Sequence, residues 1–216
     1  MNIIYEDVHI IICKKPAGLA VQNASFGRKD LESMVRTHLA ETGGKANPYL
    51  GIVHRLDQPV QGLVVFAKTP KAAADLSRQV QNGTMKKEYL AVVCGRMPQM
   101  DGTLEHYLKR DAKKNTSAVV SKDTSGAKKA VLEYQVIKEE GGRQLVKIRL
   151  HTGRHHQIRV QLTAAGAPLY GDHKYNPNSD GQDGLALCAN HLMLIHPGNG
   201  KMVEFFCEPA EGFPIN

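Results

Sequence analysis

The stretch "IVHRLDQPVQGLVVFAK" (Ile52–Lys68) carries one acid, Asp57, just ahead of an apolar run that suits the inside of a sheet. "GLVVFAK" is short, apolar and bounded by Gly and Thr-Pro, the pattern of a buried strand. The same reading extends along the chain. "IIYEDVHIIICKK", "KEYLAVVCG", "AVLEYQVIK" with its alternation, "RQLVKIRL" and "MVEFF" all read as strand. These runs outnumber the helices and often follow one another with no helix between them. The expected fold is therefore α+β, on a mainly antiparallel or mixed sheet flanked by helices and loops, and not a doubly wound parallel sheet.

Two helices are punctuated clearly. In "KDLESMVRTHLAE", Leu31, Met34, Val35, His38 and Leu39 recur at helical spacing, Asp30 stands at the cap position, and Gly43-Gly44 supplies the stop. In the second, Thr69 caps, Pro70 suits the first turn, Ala73, Leu76 and Val80 share a face, and Asn82-Gly83 ends the helix. A third helix is expected after the Thr-Gly turn at 152–153, with Ile158, Leu162 and Ala165 on its apolar side and Gly166 at its end. That helix puts His155 and Arg159 four apart on one face.

The 216 residues suit a single domain spanning 1–216, with 42 % apolar and 23 % charged residues. No run approaches the roughly 18 apolar residues of a membrane span. The start lacks the pattern of a secretory signal, so a cytoplasmic location is expected. Cys13, Cys94, Cys188 and Cys207 lie far apart and read as buried thiols, not as a disulfide frame or zinc knuckle. Lys and Arg exceed Asp and Glu by 28 to 21, a formal charge of +7 spread along the chain, which favours a long polyanion such as RNA as partner. The region from Asp101 to Lys129 holds many of these charges and reads either as a solvated loop or as a flexible arm touching phosphates. With no G-x-G-x-x-G or P-loop, no nucleotide cofactor is expected.

A lone carboxylate cannot hold a divalent metal, nor share acid and base duties with a neighbour. Asp57 is either a turn cap or a group with one specific chemical task. "LHTGRHHQIRVQLTAAGAPLYGDHKY" (Leu150–Tyr175) supplies histidines and arginines without the H-E-x-x-H arrangement of a zinc site, so no metal is expected. Such a group suits phosphate or one partner carboxylate. Tyr89 reads on its own as an ordinary strand aromatic.

Taken together, four segments resemble the RluA-type pseudouridine synthases. "CKKPAGLAV" is similar to the family's K-P-x-G-L motif, "HRLDQPVQGL" to H-R-L-D-x-x-T-S-G, and "KKEYLAVV" to K-x-Y-x-A-x-V. "TGRHHQIRVQLTAAGAPLYGD" is similar to T-G-R-x-H-Q-I-R-x-x-L-x-x-x-G-x-P-x-x-G-D. The chain departs at Val60-Gln61, where the family reads Thr-Ser, and at Cys188-Ala189-Asn190. The resemblance implies the pseudouridine synthase fold with a central RNA-binding cleft, and no S4-like extension ahead of Ile3. It implies that Asp57 is the catalytic carboxylate, Tyr89 the aromatic against the uracil ring, and Arg159 the partner of the aspartate. Arg55 is implied to fill the gap that a flipped nucleotide leaves, with His54, Lys15, Arg154 and His155 as further RNA-binding positions. The implied partner is ribosomal or transfer RNA, with a monomer, no membrane and no cofactor expected. The alternative is an inactive RNA-binding domain of the same fold.

Overall fold

The computed structural model describes residues 1–22, 29–44, 46–179 and 183–215. In chain order its elements are β1 (Asn2–Glu6), β2 (Ile10–Lys15), α1 (Leu31–Gly43), β3 (Gly51–Ile52), β4 (Gln61–Ala67), α2 (Pro70–Gln81) and β5 (Lys86–Cys94), followed by β6 (Asp101–Asp111), β7 (Thr116–Val120), β8 (Lys128–Glu140), β9 (Arg143–Leu150), α3 (Gln157–Ala164), β10 (Leu187–Ile195) and β11 (Met202–Phe206). The chain divides into two compact units, Met1–Lys87 with Ala189–Ala210, and Glu88–Cys188 with Glu211–Asn216.

In the first unit the strand order is β1-β2-β4-β10, with β11 beside β10 and β3 beside β4. The pairs β1–β2, β2–β4, β3–β4 and β10–β11 are antiparallel. Every residue of β4 is buried, which is why "GLVVFA" shows no polar alternation: a central strand covered on both faces has no solvent side to mark. One of its faces, Leu63, Val65 and Ala67, joins Ile10 and Ile12 of β2, Leu192 and Leu194 of β10, and Ala72 and Leu76 of α2 in a single core. Truncating a side chain such as Leu76 there costs about 2–5 kcal/mol. Both helix starts follow the sequence. Asp30 accepts from Ser33 N–H in a reciprocal capping box, and Thr69 Oγ1 accepts from Ala72 N–H with Pro70 next in line. Gly44 closes α1 at φ 65°, the left-handed cap that the Gly pair promised.

The second unit is an antiparallel sheet in the order β5-β9-β8-β6-β7. The register aligns Tyr89, Ile148, Tyr134 and Gly102 in one row across four strands. Helix α3 packs against β6 and β7, where Val160 meets Leu108 and Ala130 with Tyr175 alongside.

Two sequence expectations are corrected here. The region 101–129 is no arm without structure: it forms β6, β7 and the start of β8, bonded in register. Of its side chains, only Leu108 and Ser117 are buried, so the outer strands carry charge on both faces and show no apolar alternation. Second, α3 begins at Gln157, and His156 before it is left-handed at φ 54°. His155 therefore lies outside the helix and shares no helical face with Arg159. Among the described residues, no helix is long and apolar enough to cross a membrane.

Candidate active site

In the first unit, Asp57 is half-buried in the link between β3 and β4, at the start of a turn in which Val60 N–H donates to Asp57 O at 3.0 Å. That turn is fastened to the turn of "KPAG". Gly18 N–H donates to Gln58 O at 2.9 Å, and Gln58 Nε2 returns a bond to Gly18 O at 3.0 Å. Lys15 completes the fastening from inside. Its side chain is wholly buried, and its ammonium donates to Pro16 O, Leu19 O and Gln58 O at 3.1, 2.6 and 3.0 Å. Burial pushes its pKa down to about 8, against an opposing pull from the negative charge of Asp57. A cation held only by carbonyl dipoles is costly to desolvate, so this is a rigid and electrostatically tuned corner.

The residues around Asp57 are divided by exposure. Arg55 is exposed, while Leu56 and Val60 are buried. His54 is half-buried; its Nε2 accepts from Val65 N–H at 3.2 Å and its enclosed Nδ1 meets no partner. Burial, reinforced by the charge of Lys87, pushes its pKa down to about 3, so it is neutral at physiological pH. The Val60-Gln61 departure is absorbed by packing: Gln61 Oε1 accepts from Ala210 N–H at 2.7 Å. Gly62 follows at φ 121°, where a Cβ would collide with the backbone of Ala189. Only glycine fits there.

In the second unit Tyr89 is buried at 6 % exposure in β5. Arg159 is buried in α3 and grips Asp172 with two parallel bonds, Nε to Oδ2 at 2.8 Å and Nη2 to Oδ1 at 2.7 Å. Asp172 also accepts from the backbone N–H groups of Lys174 and Tyr175. This forked pair fixes the plane of the guanidinium. The sequence reading quoted the Gly-Asp that closes the long motif but gave Asp172 no role. Gly171, just before it, sits at φ 70°, where a Cβ would collide with Gly184.

The histidines at the start of α3 turn towards the β6–β7 hairpin. His155 Nδ1 lies 2.9 Å from Ser117 Oγ, and its Nε2 lies 3.2 Å from Asn115 Oδ1. His156 stacks on it with ring centroids 3.7 Å apart. Tyr175 hydroxyl accepts from Ser117 N–H at 2.8 Å and lies 2.6 Å from His156 Nδ1. Burial and the neighbouring charges, Arg159 first, push the His156 pKa down to about 3. Arg154 is exposed, with Nε donating to Lys129 O at 2.8 Å. Among the described residues, no three His, Cys, Asp or Glu side chains cluster as metal ligands.

Comparison with known proteins gives this geometry its context. A family model described as RNA pseudouridylate synthase matches residues 9–164. The ribosomal large subunit pseudouridine synthase D of Zymomonas mobilis is 35 % identical over the whole chain, which spans 71 % of that protein. An uncharacterized RNA pseudouridine synthase of Bacillus subtilis, YlyB, is 37 % identical over 95 % of the chain and 68 % of its own length. Among solved structures, human RNA pseudouridylate synthase domain containing 4 shares the fold with a TM-score of 0.82 at 23 % identity, covering 98 % of this chain and 90 % of its own. The α+β architecture, the four motifs and these relatives agree: the chain belongs to the RNA pseudouridylate synthase family, of the RluA type, and is an enzyme of that family.

Proposed function

We propose that the chain isomerises uridine to pseudouridine in RNA with Asp57 as the catalytic carboxylate. The observation that carries this reading is the turn holding Asp57, pinned by Lys15, Gly18 and Gln58, inside a chain of this family. The reaction breaks the bond between C1' and N1, turns the base, and joins C1' to C5. The hydrogen on C5 leaves to solvent and N1 gains a proton, so the sum is an isomerisation without redox change. One anionic oxygen suffices, acting on the sugar or base as nucleophile or as proton acceptor.

The other groups divide the remaining work. A stacked uridine must be extruded, at a cost of a few kcal/mol. Exposed Arg55 fills the vacated gap, and Tyr89 offers its ring to the extruded base. Arg159, oriented by Asp172, is the cation of the site. His54 and Lys15 serve RNA binding by holding the loops, and Arg154 meets it from an exposed position. Large-subunit ribosomal RNA is the proposed substrate, since relatives in Zymomonas mobilis and Nitrosomonas europaea are named for it, with transfer RNA as the other class to test. The whole chain acts as one catalytic domain, as a monomer in the cytoplasm.

The test is tritium release from RNA labelled at uridine C5, with ribosomal and transfer RNA assayed separately and the product nucleosides identified. Release from ribosomal RNA together with pseudouridine is expected. Tight RNA binding with no release from either class would instead favour the inactive RNA-binding domain.

A further inference from the structure

The β6–β7 hairpin carries cations far in excess of acids at its tip, and it is anchored. Lys109, Arg110, Lys113 and Lys114 are exposed on it, with exposed Lys174 and Arg154 on the segments that hold it. The one acid of the tip, Asp111, is turned inward on its own loop, where its Oδ1 accepts from the N–H groups of Lys113 and Lys114 at 2.9 and 3.1 Å. Asn115 then takes the left-handed conformation at φ 50°. It is held twice, by His155 Nε2 at its side chain and by Lys174 Nζ at its carbonyl, 3.0 Å away. Ser117, the first buried residue past the tip, is held by His155 through its hydroxyl and by Tyr175 through its N–H.

Hydrogen bonds from His155, Tyr175 and Lys174 hold this ridge from below while its own charges face water. Long cationic side chains on an exposed hairpin of one sign repel one another and contribute nothing to folding. Tethering such a group at four points makes sense if its charges must meet a partner in a fixed place. Resting on the proposed function, we infer that the β6–β7 tip is a phosphate clasp for the RNA strand that carries the target uridine, and that His155 is the positioning residue that sets its angle. Both ring nitrogens of His155 are engaged by the hairpin, so its influence on RNA runs through Asn115 and Ser117.

The test measures RNA binding by fluorescence anisotropy across a salt series, and tritium release under steady-state conditions, on the full chain. Lys113→Glu with Lys114→Glu is expected to weaken binding at least tenfold and to flatten the dependence of log Kd on log salt by about one to two, as lost phosphate contacts require. KM rises accordingly, and kcat at saturating RNA stays within about twofold. His155→Ala, with all charges intact, is expected to raise KM about three- to fivefold at unchanged kcat and nearly unchanged melting temperature. An equal charge reversal elsewhere, Lys71→Glu with Lys201→Glu, is expected to change Kd less than threefold. Wild-type affinity and salt slope in the Lys113/Lys114 variant, or an equal loss in the Lys71/Lys201 variant, would overturn the clasp. Failure of catalysis is read separately: a wild type that releases no tritium yet loses RNA affinity through Lys113 and Lys114 sinks the catalytic reading and keeps this one.

Discussion

Two buried cations, Lys15 in the first unit and Arg159 in the second, are stabilised by opposite means. Lys15 donates to three backbone carbonyls, whereas Arg159 grips a carboxylate, Asp172, with a two-bond fork. The difference follows from the side chains. An ammonium is a compact charge with three divergent donors, able to gather three loops at one point, while a guanidinium is flat and suits one planar acceptor. The first arrangement fixes where backbone segments meet, including the turn that carries Asp57. The second fixes the orientation of one side chain. It also leaves Lys15 within reach of deprotonation, near pH 8, in a way no guanidinium shares.

The largest effect expected from breaking this comparison is that of Asp172→Ala. It removes the two-bond fork from the buried Arg159 guanidinium and costs about 3–5 kcal/mol in stability by urea denaturation. Replacing both members by apolar residues should restore much of that stability and none of the activity, which separates the fold from the chemistry. Lys15→Met is expected to cost less, about 2–3 kcal/mol, because three carbonyls lose a donor but a desolvation penalty also disappears. Its kcat should fall more than its RNA affinity, since the Asp57 turn loosens.

The alkaline limb sharpens the same contrast. With a folded pKa near 8 and an ordinary unfolded value near 10.4, the unfolded chain holds the Lys15 proton longer, so wild-type stability gains with rising pH between those values. Lys15→Met should lack this gain, a difference in slope of up to about 1.4 kcal/mol per pH unit. The acid limb puts His156 to the same test. Its folded pKa of about 3 lies below the unfolded value near 6.5, so its contribution is full above pH 6.5 and is lost as pH falls towards 3. His156→Gln, measured by thermal melts from pH 7 to 4, should flatten that decline; an unchanged decline would remove His156 from the account.

Much of the architecture was legible because it is written locally. Asp30, Thr69, Pro70 and Gly44 act within one turn of themselves, and the buried strands show their apolar runs directly. The four motifs placed the chain in its family. What was not legible depends on distant partners. Nothing near Arg159 announces that Asp172 will grip it, and no pattern in "KKPAGL" says that Lys15 will reach Gln58, 43 residues away. The hairpin escaped notice because outer strands need no apolar alternation. The helical placement of His155 failed because a single left-handed residue, His156, delays the start of the helix to Gln157. Cys188-Ala189-Asn190 reads in the sequence as a departure from the family pattern, and the strand that holds it, β10, emerges only from its pairing.

The most direct measurement is single-turnover tritium release by Asp57→Asn, with RNA affinity measured on the same preparation. Loss of release by about 10⁴-fold or more, with Kd within threefold of wild type, is the predicted result. Release at a rate comparable to wild type would contradict the central claim that this one carboxylate carries the reaction.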